Sequence, residues 1–381
     1  MPATPTQGHV VVAPDKFKGT LEGAEVAARL AAGIRRVAPG IEVRELPVAD
    51  GGEGTLAAAL AAGHRRIPAK VAGPTGLPVD AAIAVRGDTA VVELAQASGL
   101  ARLPGGRTAP LAAGSYGVGQ LIGRAVSLGA KRVVLGLGGS ACTDGGAGMV
   151  QALGVGLYDA EGAELPPGGA ALRRLHRLDP GALADTLSGV EVVVACDVDN
   201  PLLGPRGATA VYGPQKGADG EDLLVLEAGL TRWADVVRTS TGVDLRDAPG
   251  AGAAGGVGFA ALALLGATMR PGIELLLELL GFDEAVRGAR LVVTGEGCLD
   301  AQTLHGKAPA GVAAAATGAG VPVAAVAGRL ELSQDEWRGA GFAAAYALTD
   351  LAEQPGESLT RAAELAEVAG ELLARDLLGE H

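Results

Sequence analysis

The sequence has 381 residues, of which 61 are glycine, and a formal net charge of −12 at pH 7. Hydrophobic residues make up 48% of it, enough to bury a sizeable core, so global disorder is excluded. The acidic balance and the lack of a basic stripe exclude a nucleic-acid-binding surface, and an acidic chain that binds an anion must gather local cations or recruit a metal ion.

The first 62 residues show the order strand, loop, helix twice. The apolar run 9–13 predicts a buried strand, and residues 21–37 carry apolar side chains at helical spacing. A second strand at 41–46 and an alanine-rich helix at 56–62 follow. Each strand ends in a polar loop, which is typical of parallel α/β units.

The pattern changes between about residues 64 and 110, where the runs 79–85 and 89–94 predict antiparallel strands joined by a Gly-Asp turn. The strand–loop order then returns, with apolar runs at 132–137, 190–195, 290–293, 321–327 and 341–348. We therefore predict an α/β fold of two domains. Both chain ends, 1–64 plus 288–381, form a doubly wound Rossmann- or flavodoxin-like parallel-sheet domain, and 65–287 form an inserted mixed α/β domain.

The loop after the predicted strand 132–137 is the densest candidate phosphate site. Glycines let the backbone approach a phosphate, and exposed amides before a helix attract its negative charge. The residues expected to contact phosphate here are Gly138, Gly139, Ser140, Thr143 and Gly145. A turn that serves only packing is the alternative. Residues 136–141 also match G-x-G-x-x-A with Asp159 about twenty residues on, a weak dinucleotide fingerprint.

Carboxylates and lysines form the other candidates, because they collect in loops after predicted strands, where ligands bind in parallel sheets. The acids are Asp15, Asp50, Glu53, Asp144, Asp197, Asp199, Glu296 and Asp300. They could hold magnesium or accept a substrate proton, or merely cap the next helix. The lysines are Lys16, Lys18, Lys216 and Lys307, which could neutralise a transferring phosphoryl group or be solvated surface residues.

The three cysteines, Cys142, Cys196 and Cys298, are odd in number and widely spaced, so neither a disulfide framework nor a zinc site is expected. We interpret them as small filler residues. The N-terminus does not resemble a signal peptide, and the longest uncharged stretch is broken by prolines. We therefore expect a cytoplasmic protein that binds neither nucleic acid nor membrane.

The loops together resemble those of the bacterial type I glycerate kinase family. The segments that carry the resemblance are 13–20, 49–55, 138–146, 196–204, 212–217 and 294–303, in order along about residues 8 to 350. The departures are modest: Lys16 stands where serine is frequent, Cys142-Thr143 where Thr-Asn is frequent and Cys298-Leu299 where Arg-Ile is frequent. The resemblance implies ATP-dependent phosphorylation of D-glycerate with Mg²⁺, commonly at the 2-hydroxyl, and an active-site cleft between two α/β domains.

With that resemblance, each group of candidates receives an expected role around one bound polyphosphate. The expected catalytic residues are Asp197, Lys18, Lys216 and Asp15. The expected substrate-binding residues are Lys16, Asp50, Glu53 and Arg329. The expected ATP-phosphate residues are Gly138, Gly139, Ser140, Thr143, Gly145, Gly295 and Lys307. The expected Mg²⁺ ligands are Asp144, Glu296 and Asp300.

The expected partners are D-glycerate and ATP, and the expected assembly is a monomer or homodimer. Three alternatives stay open: 3-phosphoglycerate as the product, an NAD(P)-dependent oxidoreductase acting on a small hydroxy acid, and a metabolite-binding protein without turnover.

Overall fold

The computed structural model describes residues 8–354 and 356–379. Its strands are β1 (His9–Pro14), β2 (Val43–Glu45), β3 (Arg65–Ala72), β4 (Pro78–Arg86), β5 (Thr89–Glu93), β6 (Arg132–Gly136), β7 (Gly156–Tyr158), β8 (Arg177–Asp179), β9 (Glu191–Ala195), β10 (Thr268–Arg270), β11 (Ala289–Leu299), β12 (Val323–Leu330) and β13 (Phe342–Ala347).

Its α-helices are α1 (Gly23–Val37), α2 (Thr55–Ala61), α3 (Ala95–Ser98), α4 (Tyr116–Ser127), α5 (Ala147–Ala152), α6 (Leu183–Thr186), α7 (Ala208–Tyr212), α8 (Gly220–Thr241), α9 (Ala253–Leu264), α10 (Gly272–Leu280), α11 (Phe282–Val286), α12 (Ala308–Gly318), α13 (Gln334–Gly339), α14 (Leu348–Leu351), α15 (Glu357–Thr360) and α16 (Ala362–Leu378). Within the described residues, no helix is long and apolar enough to cross a membrane.

The chain divides into two compact units. Unit 1 comprises Met1–Asp50, Ala57–Ala62 and Ile273–His381. Unit 2 comprises Gly51–Leu56 and Gly63–Gly272. Thus both chain ends contribute to unit 1, and the middle of the chain forms unit 2.

Unit 1 is built on a parallel sheet with the strand order β13-β12-β11-β1-β2. Counted along the chain within this sheet, that order is 5-4-3-1-2, the flavodoxin-like doubly wound arrangement. The order reverses between β1 and β11. Ligands of such sheets bind in the crevice outside the carboxyl ends of the two strands at this point.

The predicted parallel sheet of unit 1 is confirmed, and its strands are covered on both faces. Val10 and Val12 of β1 belong to the core formed with α1 and α16. Val11, pointing the other way, belongs to the core formed with α10, α11 and α12. An entirely apolar strand is expected when helices cover both faces of a parallel sheet.

Two segments of unit 1 differ from the sequence-based boundaries. Residues 294–299, predicted as a loop, continue β11 and pair with β12. Gly295 permits this, because a Cβ atom there would overlap the carbonyl oxygen of Val326. In addition, Ile273 and Phe282, in the range 65–287 that the sequence assigns to the inserted domain, pack in the core of unit 1.

Unit 2 contains a six-stranded mixed sheet with the order β10-β9-β6-β5-β4-β3. The strands β10, β9, β6 and β5 are parallel, whereas β4 runs antiparallel to both β5 and β3. The predicted antiparallel pair 79–85 and 89–94 is therefore confirmed. The strands β7 and β8 form a separate antiparallel pair.

Candidate functional site

In unit 1, polar residues follow β1 at the point where the strand order reverses. The backbone N–H of Asp15 donates to the carbonyl of Gly295 in β11 at 2.8 Å. The N–H of Lys16 in turn donates to the Asp15 carboxylate at 2.6 Å. The sheet therefore fixes the backbone at Asp15, whose side chain is only partly exposed.

Three carboxylates, those of Asp15, Asp50 and Glu296, influence one another here. Burial, together with repulsion from Asp50 and Glu296, raises the pKa of Asp15 from 3.8 to about 7. Burial also raises the pKa of Glu296, with smaller contributions from Asp300 and Asp50. A carboxylate with a pKa near neutral is suited to exchanging a proton during catalysis.

Lys307 lies between two of the acids expected to bind Mg²⁺. Its Nζ is 3.8 Å from Glu296 and 3.6 Å from Asp300. The buried Thr303 hydroxyl also donates to Glu296. Burial alone would raise the pKa of Asp300, but Lys307 and the N–H groups of Gln302 and Thr303 lower it overall. Both carboxylates thus already face a cation of the chain itself.

Three other predicted residues of unit 1 stand apart from this arrangement. Gly295 is a sheet residue rather than part of a loop. Arg329 is exposed, forms an ion pair with Glu331 at 2.7 Å and donates to the Cys298 sulfur at 3.7 Å. Lys18 is exposed, and its backbone lies beside Gly297.

In unit 2, the loop 138–146 follows the carboxyl end of β6, as predicted. Gly139 is exposed and has φ of 71°, in the left-handed region that favours glycine. Its carbonyl accepts from the N–H of Leu100 at 2.9 Å. Across the described parts of the chain, the N–H groups of Gly138, Gly139 and Ser140 have no protein acceptor. The tip of the loop therefore offers backbone donors to a ligand.

The second half of this loop, residues 142–145, is held in place by hydrogen bonds from other segments of unit 2. The Lys216 ammonium donates to the carbonyl of Cys142 at 2.6 Å, and the Trp233 indole donates to the carbonyl of Gly145 at 2.9 Å. The N–H of Gly145 donates to Gly255 at 3.0 Å. Gly145 has φ of 64°, and a Cβ atom there would lie 2.5 Å from the Trp233 ring. Gly145 thus allows the loop to pack closely against the Trp233 ring.

Asp144, expected to bind Mg²⁺, is 1% exposed and is occupied by protein donors. Its carboxylate accepts from the N–H and hydroxyl of Ser115, both at 2.8 Å, and from the N–H groups of Gly146 and Gly148, both at 3.2 Å. A carboxylate so satisfied stabilises the fold, so the structure does not support its assignment as a metal ligand.

Two exposed acids of unit 2 lie near the phosphate-loop candidate. Glu53 follows Gly52, and a Cβ atom on Gly138 would overlap Gly52 and lie 2.8 Å from the Glu53 nitrogen. Asp197 follows β9, and its Oδ1 accepts from the N–H of Gly272 at 2.7 Å. The carboxyl ends of β6 and β9 are adjacent, since these strands pair in parallel.

Comparison with known proteins agrees with these observations. Residues 10–378 match the model of the Glycerate kinase family. The chain belongs to this family. It is 45% identical over 361 residues to the glycerate kinase of Bacillus subtilis (strain 168), covering 94% of each chain. It is also 45% identical to the glycerate 2-kinase of Escherichia coli (strain K12), covering 84% of this chain and 85% of that one.

The fold of this glycerate kinase family member is also found in a solved structure. A crystal structure described as a glycerate kinase 2 from Salmonella typhimurium LT2 has a TM-score of 0.85 and 39% identity, covering 97% of this chain and 98% of that one. The dinucleotide fingerprint at 136–141 lacks its structural context, because α5 begins only at Ala147, several residues after the last position of the motif. The oxidoreductase alternative therefore has no support.

The sequence analysis missed Glu93, the last residue of β5. Glu93 is 2% exposed and accepts from the N–H groups of Gly54 and Leu56 at 3.3 and 2.9 Å. Burial raises the pKa of its carboxyl. The signal in the sequence that could have identified Glu93 is its position as an acidic residue inside the otherwise apolar run 90–94. Cys142 is buried, whereas Cys196 and Cys298 are partly exposed, so the filler interpretation of the three cysteines stays a prediction.

Proposed function

We propose that this glycerate kinase family member transfers the γ-phosphoryl group of ATP to the 2-hydroxyl of D-glycerate. Membership of the family along nearly the whole chain supports the reaction class, and a relative named glycerate 2-kinase supports the 2-hydroxyl. Phosphoryl transfer depends mainly on positioning and on charge neutralisation. Each unit supplies polar groups suited to one of these tasks.

The observation that carries the proposal in unit 2 is the set of unused backbone donors at the tip of the loop 138–146. The N–H groups of Gly138, Gly139 and Ser140 are donors for the ATP phosphates. Gly138 and Gly139 carry no side chains, so a phosphate can come within hydrogen-bonding distance of the backbone. Backbone donors add no net charge, which leaves the neutralisation of ATP to a metal ion.

The donor set of unit 2 is compatible with Mg²⁺, which prefers carboxylate oxygens and substrate phosphates as ligands. Asp197 and Glu53 are the exposed acids near the loop and are the residues that would hold the ion. When bound, Mg²⁺ offsets the charge of the phosphate oxygens. Asp144 is less suited, since it is 1% exposed and its carboxylate accepts four hydrogen bonds, and Glu296 and Asp300 are less suited because both face the Lys307 ammonium.

In unit 1, Asp15 is the candidate acceptor of the proton from a glycerate hydroxyl. Its raised pKa and its fixed backbone position support this role. Asp50 can accept a hydrogen bond from a hydroxyl group, whereas Lys16 carries the charge needed to attract the glycerate carboxylate. Lys18 and Arg329 are further exposed cations of the same unit.

Phosphorus NMR of the reaction of the full chain with ATP, Mg²⁺ and D-glycerate tests the proposal. We expect ADP and 2-phosphoglycerate to form together in equal amounts. Release of 3-phosphoglycerate would contradict the proposed regiochemistry. Binding of ATP or D-glycerate without product would instead support a metabolite-binding protein. L-glycerate is the matched control substrate and should react more slowly.

A further inference from the structure

Unit 2 buries the charged side chains of Lys216, Asp144 and Glu93, which are 1%, 1% and 2% exposed. Keeping a charged side chain in such a place is unfavourable unless it makes specific hydrogen bonds. Lys216 donates to the carbonyl of Cys142 in the interior, so it does not suit the catalytic role that the sequence predicts for it. The hydrogen bonds of Glu93 instead join it to a second loop, residues 51–54, directly before α2.

Glu93 holds the backbone on the C-terminal side of Glu53. One oxygen of its carboxylate, Oε2, accepts from the N–H of Gly54 at 3.3 Å and from the N–H of Leu56 at 2.9 Å. The side chain of Gln96 also forms a hydrogen bond with Glu93. Because a peptide group is planar, the bond to the Gly54 N–H fixes the whole peptide that follows Glu53.

The backbone on the N-terminal side of Glu53 is fixed through Gly52. The hydroxyl of Thr55 donates to the carbonyl of Gly52 at 2.7 Å, which closes the turn. A Cβ atom on Gly138 would overlap Gly52, so the turn lies directly against the loop 138–146. The backbone of Glu53 is therefore held on both sides, beside the candidate phosphate loop.

The side chain of Glu53 begins next to the exposed tip of that loop. A Cβ atom on Gly139 would lie 4.0 Å from the Cβ atom of Glu53. A carboxylate at this place would repel a phosphate bound by the backbone donors of the tip. A divalent cation removes this repulsion, because Mg²⁺ is commonly held by one or two carboxylates together with substrate phosphates.

We propose that Glu93 is a positioning residue for Mg²⁺, which orients the Glu53–Gly54 peptide and so directs the Glu53 carboxylate to the cation that accompanies ATP. Glu93 is 2% exposed, so it acts through the backbone that it binds and does not itself contact the ligand. This inference rests on the proposed function, in which the loop 138–146 binds ATP and Glu53 is a ligand of the ion.

The test compares Glu93→Met, which keeps a side chain of similar length but removes the acceptor, with Glu93→Gln, which keeps an oxygen that can accept from both N–H groups. We expect E93M to raise the calorimetric Kd of ADP measured with Mg²⁺ by about 10- to 100-fold, as is typical when a group that orients a metal ligand is lost. The Kd of ADP without metal and the KM for D-glycerate should stay within about twofold of wild type, because neither depends on the ion ligand. E93Q should recover most of the loss.

Asp179→Leu is the matched control, because Asp179 also accepts from a glycine N–H, that of Gly181 at 3.1 Å, but at the end of β8. It should leave all three constants unchanged. In E93M, an equal rise in the Kd of ADP with and without Mg²⁺, or no rise in either, would overturn the inference. Binding of Mg²⁺ and ADP by E93Q that is as weak as in E93M would also overturn it, because the charge and not the acceptor would then be required.

If E93M does not fold, Glu93→Asp decides. This change keeps the charge but withdraws the accepting oxygen by one methylene group, so the Kd of ADP with Mg²⁺ should again rise, and an unchanged value would contradict the role given to Glu93. Weakened binding of ADP with Mg²⁺ in the variants, together with no phosphorylation of D-glycerate by the wild type, would contradict only the proposed function.

Discussion

The carboxylate of Asp144 accepts hydrogen bonds from the backbone N–H and the side-chain hydroxyl of Ser115, each at 2.8 Å. Ser115 directly precedes α4, and its hydroxyl oxygen also accepts from the N–H of Met149 in α5 at 2.9 Å. One buried pair therefore joins the starts of two helices. A negative charge is favourable there, because the first turns of both helices present unpaired N–H groups.

Ser115→Ala should destabilise the protein. The change removes the hydroxyl bond to Asp144 and leaves the buried N–H of Met149 without its acceptor, which costs about 1–3 kcal/mol. Urea unfolding of wild type and variant measures the difference in the free energy of unfolding. Ser127→Ala is the matched control, because the hydroxyl of Ser127 is exposed and bonds only to the carbonyl of Arg124. Equal losses in the two variants would contradict the role given to Ser115.

The raised pKa of Asp15 predicts a pH-dependent stability difference. Between pH 3.8 and about 7 the folded state keeps the Asp15 proton and the unfolded state has lost it, so stability falls as pH rises through this window. Above about pH 7, Asp15 is charged in both the folded and the unfolded state. Its burial then lowers the free energy of unfolding by at most about 4 kcal/mol, which corresponds to the shift of about three units in its pKa. Asp15→Asn should therefore be more stable than wild type at pH 8.5, with the advantage shrinking toward pH 4.

Chemical denaturation of both proteins at pH 4.5, 6 and 8.5 without divalent ions measures this effect. Asp159→Asn serves as the control, because this turn residue belongs to unit 2, whereas Asp15, Asp50 and Glu296 belong to unit 1. A difference between wild type and D15N that stays constant with pH would show that Asp15 titrates normally in the folded state.

The fold was largely predictable from the sequence because apolar runs of parallel strands are unambiguous when both faces are buried. The run 9–13, for example, is entirely buried in β1. The site was less predictable, because a loop lysine or aspartate looks the same whether it faces solvent or the interior. Lys216 and Asp144 are both 1% exposed, and their hydrogen bonds to Cys142 and to Ser115 depend on tertiary contacts that the local sequence does not reveal.

Glycine was the other source of error. Gly295 was interpreted as part of a phosphate loop, but it permits close contact between β11 and β12. Gly138 and Gly139 stand in a similar sequence context and do lie in a loop, where Gly138 is half-buried and Gly139 is exposed. In a chain with 61 glycines, the residue type does not distinguish close packing from exposure to a ligand. That distinction depends on long-range strand pairing.

Gly138→Ala should weaken ATP binding. A Cβ atom at this position would overlap Gly52 and lie 2.8 Å from the nitrogen of Glu53, so the two loops must separate. Overpacking of this kind costs about 1–3 kcal/mol, which corresponds to a rise of about 5- to 150-fold in the KM for ATP if the strain falls on the loop. Steady-state kinetics at saturating D-glycerate measures it. Gly318→Ala, where a Cβ atom would meet open space and the backbone is helical, should leave this KM unchanged.

Asp197→Asn should remove the negative charge of Asp197, at the carboxyl end of β9, while keeping its side chain in the same position. The amide oxygen of asparagine can still accept from the N–H of Gly272, so the free energy of unfolding should change by less than about 0.5 kcal/mol. The lost charge should raise the Mg²⁺ concentration needed for half-maximal rate by about 10- to 100-fold. Asp199→Asn is the control, since Asp199 is exposed and pairs with Arg206 at 2.9 Å. Identical Mg²⁺ titrations for D197N and D199N would exclude Asp197 as a ligand of the ion.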